Sequence, residues 1–165
     1  MRKLKKRLLL IVVAIVLFNA FILSNVPNKA NAIKEQIAAI QAEIKFQEEH
    51  MEEIITNIIT YVGKYDKEKA DMLMRVLNAR GIKTDALIEH IINLIEGVAD
   101  NYPELENSDD YKNMMNSLLM TQELIINTRN AYNVCVNQYN KYIEKFKQIL
   151  TMFKHENVNY SMYEN

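Results

Sequence analysis

An all-α fold is what this sequence predicts: an N-terminal transmembrane helix followed by an elongated antiparallel helical bundle of three to four long helices. Three observations carry the prediction. Only two Pro and three Gly occur in 165 residues, too few for a loop-rich or all-β chain. A basic cluster, Arg2 to Arg7, precedes the apolar run Leu8–Leu23, the layout of a segment that enters a membrane. Large apolar or aromatic residues then recur at every seventh position, at Tyr111, Leu118, Ile125, Tyr132, Tyr139, Phe146 and Phe153. On a stretch free of Pro and Gly from Glu104 to the end, that period predicts one long helix with a continuous seam. Met115, Val136, Ile143 and Leu150 complete the seam, and Gln122 and Arg129 interrupt it. Such a helix cannot bury its own stripe, so the rest of the chain must face it.

Taken in order, residues 1–26 form the basic segment and transmembrane signal-anchor. Asn19 is the only strongly polar residue of the apolar run. At 1.5 Å per residue the run covers roughly 24 Å, short of a ~30 Å hydrocarbon core but within reach of snorkelling flanks. Ala30-Asn31-Ala32 also fits a signal-peptide cleavage site, so the stretch reads equally well as a retained anchor or as a leader cut after Ala32. In both cases the cations leave the amino end in the cytoplasm and carry the body to the far side.

Residues 27–154 form the bundle and 155–165 a C-terminal tail. Ile33, Ile37, Ile40, Ile44, Met51, Ile54, Ile58, Tyr61 and Tyr65 alternate at spacings of four and three, with Gln47 the one break. This predicts a helix from near Asn28 to a stop at Gly63. Asp66 caps a second helix with Leu73, Val76 and Leu77 inside, ended by Arg80-Gly81. Thr84-Asp85 starts a third that buries Leu87, Ile88, Ile91, Ile92, Ile95 and Val98, and Asn101-Tyr102-Pro103 closes it. Ser108, followed by Asp109 and Asp110, caps the long final helix. Whether these pack as three layers or as four helices stays open.

The charge balance, 20 basic against 21 acidic residues, hides an acidic body, because five of the cations lie in the first seven residues. With no clustered basic stripe, nucleic-acid binding is not expected, and nothing in the body's composition calls for adhesion to anionic lipid. The lone Cys135 excludes an intrachain disulfide.

Catalytic chemistry is not expected. Bundles build di-iron sites from Glu-x-x-His pairs, whereas Gln47, Leu87 and Met152 stand three before His50, His90 and His155. Cys135 reads as a small core hydrophobe rather than a nucleophile, and no cofactor, metal or small-molecule substrate is predicted. The unusual feature is a stripe of amides, Asn116, Asn130, Asn133, Asn137 and Asn140, on one flank of the last helix beside the tyrosines. It reads either as a partner-binding face or as amides that specify register inside the bundle. The run Glu48, Glu49, Glu52, Glu53 reads as a solvated face.

The order of these signals resembles the LemA family. The sharpest likeness is Thr128-Arg129-Asn130-Ala131-Tyr132-Asn133, followed by Val136, Tyr139-Asn140, Ile143 and Phe146. Tyr102-Pro103-Glu104-Leu105 is similar to that family's turn before the final helix. Glu53-Ile54-Ile55-Thr56-Asn57 and Val76 to Arg80 are similar to its upstream motifs. Departures are Thr56 and Lys147, each where the family has proline, and a shorter connection after Arg80. The resemblance implies a membrane-anchored helical bundle whose first body helix abuts the anchor from Asn28, which favours retention over cleavage. It implies no activity. The expectation is therefore a non-catalytic scaffold or interaction module at the bacterial cell envelope. Its partners would be the lipid bilayer through Leu8–Leu23 and an unidentified envelope protein or a second copy. The alternative is a secreted helical binding module released after Ala32.

Overall fold

The computed structural model describes residues 2–80, 85–155 and 158–163. Among them the chain is helical with no strand, in the order α1 (Arg2–Val62), α2 (Lys67–Arg80), α3 (Asp85–Ala99), α4 (Pro103–Glu106), α5 (Asp109–Lys145) and α6 (Lys147–Met152). Two compact units result, one from residues 1–41 with 130–165 and one from residues 42–129.

In the unit of residues 42–129, α1, α2, α3 and α5 all contribute to one core, which includes Ile55, Ile58, Leu73, Ile88, Ile91 and Leu118. That settles four helices for this unit. Glu48 meets Arg129 while Tyr61 meets Ser108, so α1 and α5 run antiparallel here. Gly63 makes the turn out of α1, where an added Cβ would lie 3.2 Å from the Ala70 Cβ and 3.3 Å from the Thr60 carbonyl. Asp66 caps α2, its Oδ1 accepting the Lys69 N–H at 2.9 Å. The same carboxylate accepts the Tyr102 hydroxyl at 3.2 Å. Pro103 closes α3 as expected but also opens the one-turn α4, standing at its first position where no N–H is needed. Buried Leu105 ties α4 to the core. Ser108 caps α5, accepting the Tyr111 N–H at 3.4 Å while sharing a 2.8 Å bond with the Tyr61 hydroxyl. The predicted signals at Gly81 and Thr84 lie outside the described residues.

In the other unit α1 and α5 are again antiparallel, since Val26 meets Tyr142 and Gln41 meets Tyr132. Two expectations are corrected here. No new helix starts at Asn28, because α1 runs unbroken through Pro27. Proline removes the N–H that the Leu23 carbonyl would accept, yet the helix continues because Val26 and Ala30 are locked in an apolar cluster with Leu150. The Tyr142 hydroxyl adds a 3.3 Å bond to the Val26 carbonyl. The last helix, in turn, does not run unbroken to Phe153. It breaks at Phe146 (φ −112°, ψ 20°) and resumes as α6.

The break lies at Phe146, directly before Lys147, and it coincides with close packing on α1. The Phe146 and Tyr142 rings meet at a 47° tilt with centroids 4.8 Å apart, and both pack with Ile149 against Val26, Ala30 and Leu150. Phe153, the last member of the seven-residue series, is accordingly off the seam and exposed.

The chain turns back after α6 at Lys154, which sits in the left-handed region at φ 50°. The His155 N–H reaches the Leu150 carbonyl at 3.0 Å and the Lys154 N–H the Thr151 carbonyl at 3.1 Å, a Schellman termination that normally selects glycine. Lys154→Gly is therefore expected to stabilise the protein by roughly 0.5–1 kcal/mol, read as a higher thermal midpoint.

Candidate functional site

The carboxyl half of α5 presents buried Tyr132, Cys135, Val136 and Tyr139, with Asn133 half-buried at their edge. Against this face lies the chain's own tail, residues 158–163, running antiparallel to α5. Tyr160 meets Tyr139 edge-on at 5.4 Å, and Tyr163 meets Tyr132 edge-on at 5.2 Å. Between them Asn133 makes a reciprocal pair with the Tyr163 backbone. Its Nδ2 donates to the Tyr163 carbonyl at 2.9 Å, and its Oδ1 accepts the Tyr163 N–H at 2.9 Å. The side-chain amide thus exchanges both bonds that a neighbouring strand would exchange. It reads backbone, while the two tyrosines read aromatic rings three residues apart.

The surroundings are apolar and weakly polar. Gln41 Nε2 donates to the Tyr132 hydroxyl at 3.2 Å. Burial raises the Tyr132 phenol, with Tyr163 and Tyr160 adding to the rise and the Gln41 bond opposing it. Burial likewise raises Tyr160 and the Cys135 thiol, so these groups stay protonated at neutral pH. A protonated, desolvated thiol is a poor nucleophile. His155 Nε2 lies 3.5 Å from the Tyr139 hydroxyl. Its pKa is lowered, by burial first and then by Lys34. Among the described residues no three of His, Cys, Asp and Glu gather to hold a metal ion. The arrangement can bind an extended backbone segment and stack its aromatic rings.

Of the predicted amide stripe, the structure engages Asn133. Asn130, Asn137 and Asn140 are exposed in the same unit, Asn140 beside Val158 and Asn159 in a shallow cavity. Asn116 is exposed in the other unit, next to Tyr111, whose phenol is pushed up to about 12 by burial and then by Glu96, Asp100 and Glu106.

None of the five is buried, so they do not set register from inside the core. The interruptions of the two seams take that place: Gln47 is 4% and Arg129 5% exposed. Gln47 Nε2 donates to Glu43 Oε1 at 2.8 Å, and Arg129 Nη2 donates to Glu48 Oε1 at 2.8 Å. Glu48 is thereby withdrawn from the solvated acidic face on which the sequence put it; Glu49, Glu52 and Glu53 remain there. Sequence reasoning also missed Gln41, His155, Tyr160 and Tyr163. The one available signal was that Tyr160 and Tyr163 repeat the chemistry of Tyr132 and Tyr139.

The motif residues therefore have defined places: Arg129 on Glu48, Tyr132 in the core and Asn133 on the tail. A family model described as the LemA family matches residues 40–165. The chain belongs to the LemA family. The match takes in the Asn and Tyr face together with the tail, and it begins beyond the apolar segment of α1. No curated protein and no solved structure matches the chain.

Two predictions arise here for this LemA-family chain. Asn133→Ala removes both bonds to Tyr163, at about 1 kcal/mol each, and is expected to free the tail for cleavage by chymotrypsin at Tyr160 or Tyr163. Tail protection equal to that of the parent would show that the amide pair is dispensable. The second concerns pH. A lowered folded pKa for His155 means that the neutral ring is favoured in the fold. The associated stability is present above the unfolded value near 6.5 and is lost as pH falls through it towards the folded value. Tail protection is expected to weaken over that window, and His155→Gln is expected to flatten the dependence.

Proposed function

We propose that this LemA-family protein is a single-pass membrane protein of the bacterial cell envelope. Its amino terminus lies in the cytoplasm, and its extracytoplasmic helical bundle serves as a non-catalytic scaffold or interaction module. The observation that carries the reading is the continuity of α1. The helix contains a stretch apolar enough to cross a membrane, with mean hydropathy 2.6 over its best window and almost no burial within the protein. It then runs without a break into the bundle. A retained anchor and a cleaved leader share that hydropathy profile, but they make different demands on the fold. Cleavage after Ala32 would remove Val26 and Ala30, 5% and 0% exposed, from their cluster with Leu150. It would also take away the acceptor of the Tyr142 hydroxyl. This favours the anchor over the secreted module. The basic residues before Leu8 support the orientation.

Protease added to intact spheroplasts tests it: the bundle is expected to be digested while an amino-terminal epitope stays protected. Digestion only after lysis would reverse the orientation.

The exposed amides Asn130, Asn137 and Asn140 are the part of the α5 flank left for a partner protein or a second copy, since Asn133 is committed to the tail. Their joint replacement by Lys is expected to abolish capture of envelope partners by the folded protein. Unchanged capture would make the stripe structural.

A further inference from the structure

The carboxyl end of the bundle packs on α1 at the level where the apolar run ends. Val26, Ala30 and Leu150 form one cluster, with Ile22, Tyr142, Phe146 and Ile149 packed against it. Ile22 lies in the last turn of the Leu8–Leu23 run. At 1.5 Å per residue, Ile22 to Ala30 spans about 12 Å of α1, and the headgroup layer on one face of a bilayer is about 5–8 Å thick. On the anchored reading proposed above, α6 therefore sits at the boundary between acyl chains and headgroups.

Two features of α6 fit that depth. Met152 and Phe153 stand at its end at 75% and 50% exposure. In the flanking sequence Lys141, Lys145, Lys147 and Lys154 are all exposed, and Glu144 is the one carboxylate between residues 141 and 155. Exposed apolar residues flanked in sequence by exposed lysines are the composition of segments that lie in the membrane interface, although the body as a whole is acidic. The break at Phe146 fits as well. A straight α5 would advance about 15 Å from Tyr142 to Met152, antiparallel to α1, and would carry Lys147, Gln148 and Thr151 alongside the apolar run. The bend instead keeps residues 147–153 at the level of Ile22 to Ala30.

We propose that α6 with Phe153 and Lys154 is a second membrane contact. Met152 and Phe153 enter the acyl boundary of the bilayer that holds the chain's own anchor, and the flanking lysines meet lipid phosphates. The contact fixes the unit of residues 1–41 and 130–165 at two points on the membrane surface.

The chain has no Trp, so single-Trp variants of the full-length protein report depth directly. Phe18→Trp, Phe153→Trp and Val134→Trp proteins are reconstituted in vesicles of phosphatidylcholine brominated near the headgroup end of its acyl chains. Phe18 is in the apolar run, and Val134 is an exposed position on α5 in the same unit. Phe153→Trp is expected to show a blue-shifted emission and to lose more than half of it to bromine, while Val134→Trp is unquenched. Quenching of Phe18→Trp with Phe153→Trp no more quenched than Val134→Trp overturns the second contact and leaves the anchor intact. An unquenched Phe18→Trp overturns the anchor, and the contact with it. Adding phosphatidylglycerol is expected to deepen quenching of Phe153→Trp, and adding Lys147→Glu and Lys154→Glu to that variant is expected to abolish the gain. An unchanged gain would remove the lysines from the proposal.

Discussion

Arg129→Ala is expected to destabilise the protein by about 3 kcal/mol, read as a lower urea midpoint of the detergent-solubilised full chain. The guanidinium is 5% exposed and holds Glu48 Oε1 at 2.8 Å, joining α5 to α1 inside one unit. Its removal loses the packing of the arginine stem and leaves a Glu48 side chain, 30% exposed, without its cation. Had the same charges met on the surface, the effect would fall to about 1 kcal/mol or less. Glu48→Gln, which leaves the buried cation facing a neutral amide, is expected to cost nearly as much. The double variant Arg129→Met with Glu48→Gln is expected to recover much of the loss, because a buried pair replaced by neutral groups often costs little. Losses that simply added would mean that the two side chains act independently.

Tyr132→Ala is expected to cost about 4 kcal/mol. The ring is 2% exposed and carries three relationships at once: the α5 seam, the Gln41 bond and the edge contact with Tyr163. Tyr132→Phe keeps the ring and loses the Gln41 bond, at about 1 kcal/mol. The pair of variants separates packing from hydrogen bonding. Tail protection is expected to persist in Tyr132→Phe and to vanish in Tyr132→Ala. A Tyr132→Ala protein with a protected tail would show that the remaining contacts, the Asn133 pair and the Tyr160 edge on Tyr139 among them, retain it without the Tyr132 ring.

Most of the fold was legible because helix periodicity, caps and stop signals agree over the body. Asp66 and Ser108 cap the helices they were expected to cap, and Ile37, Ile44, Met51, Ile54 and Ile58 of the first seam and Tyr111, Leu118, Ile125, Tyr132 and Tyr139 of the second lie inside, while Ile40 is half-buried. Where the sequence misled, distant contacts overrode a local rule. Pro27 argues for a boundary, yet Val26 and Ala30 are held helical by Leu150, more than 100 positions away in the chain. The seven-residue period runs on to Phe153, but packing of Phe146 and Leu150 on α1 bends the chain first. The candidate site was legible in half. The amides and tyrosines of α5 stand out in the sequence, whereas their occupant, the tail of Tyr160 and Tyr163, has no periodicity to announce that it returns. Arg129 and Gln47 looked like defects of the seam and are instead its buried polar members.

The account rests on α1 being retained as one helix from the apolar segment into the bundle. The most direct test is the intact mass of the native protein together with its partition between membrane and soluble fractions. A full-length chain in the membrane fraction is the predicted result. A soluble chain beginning at Ile33 would contradict it, since that product lacks Val26 and Ala30 and the cluster they form with Leu150.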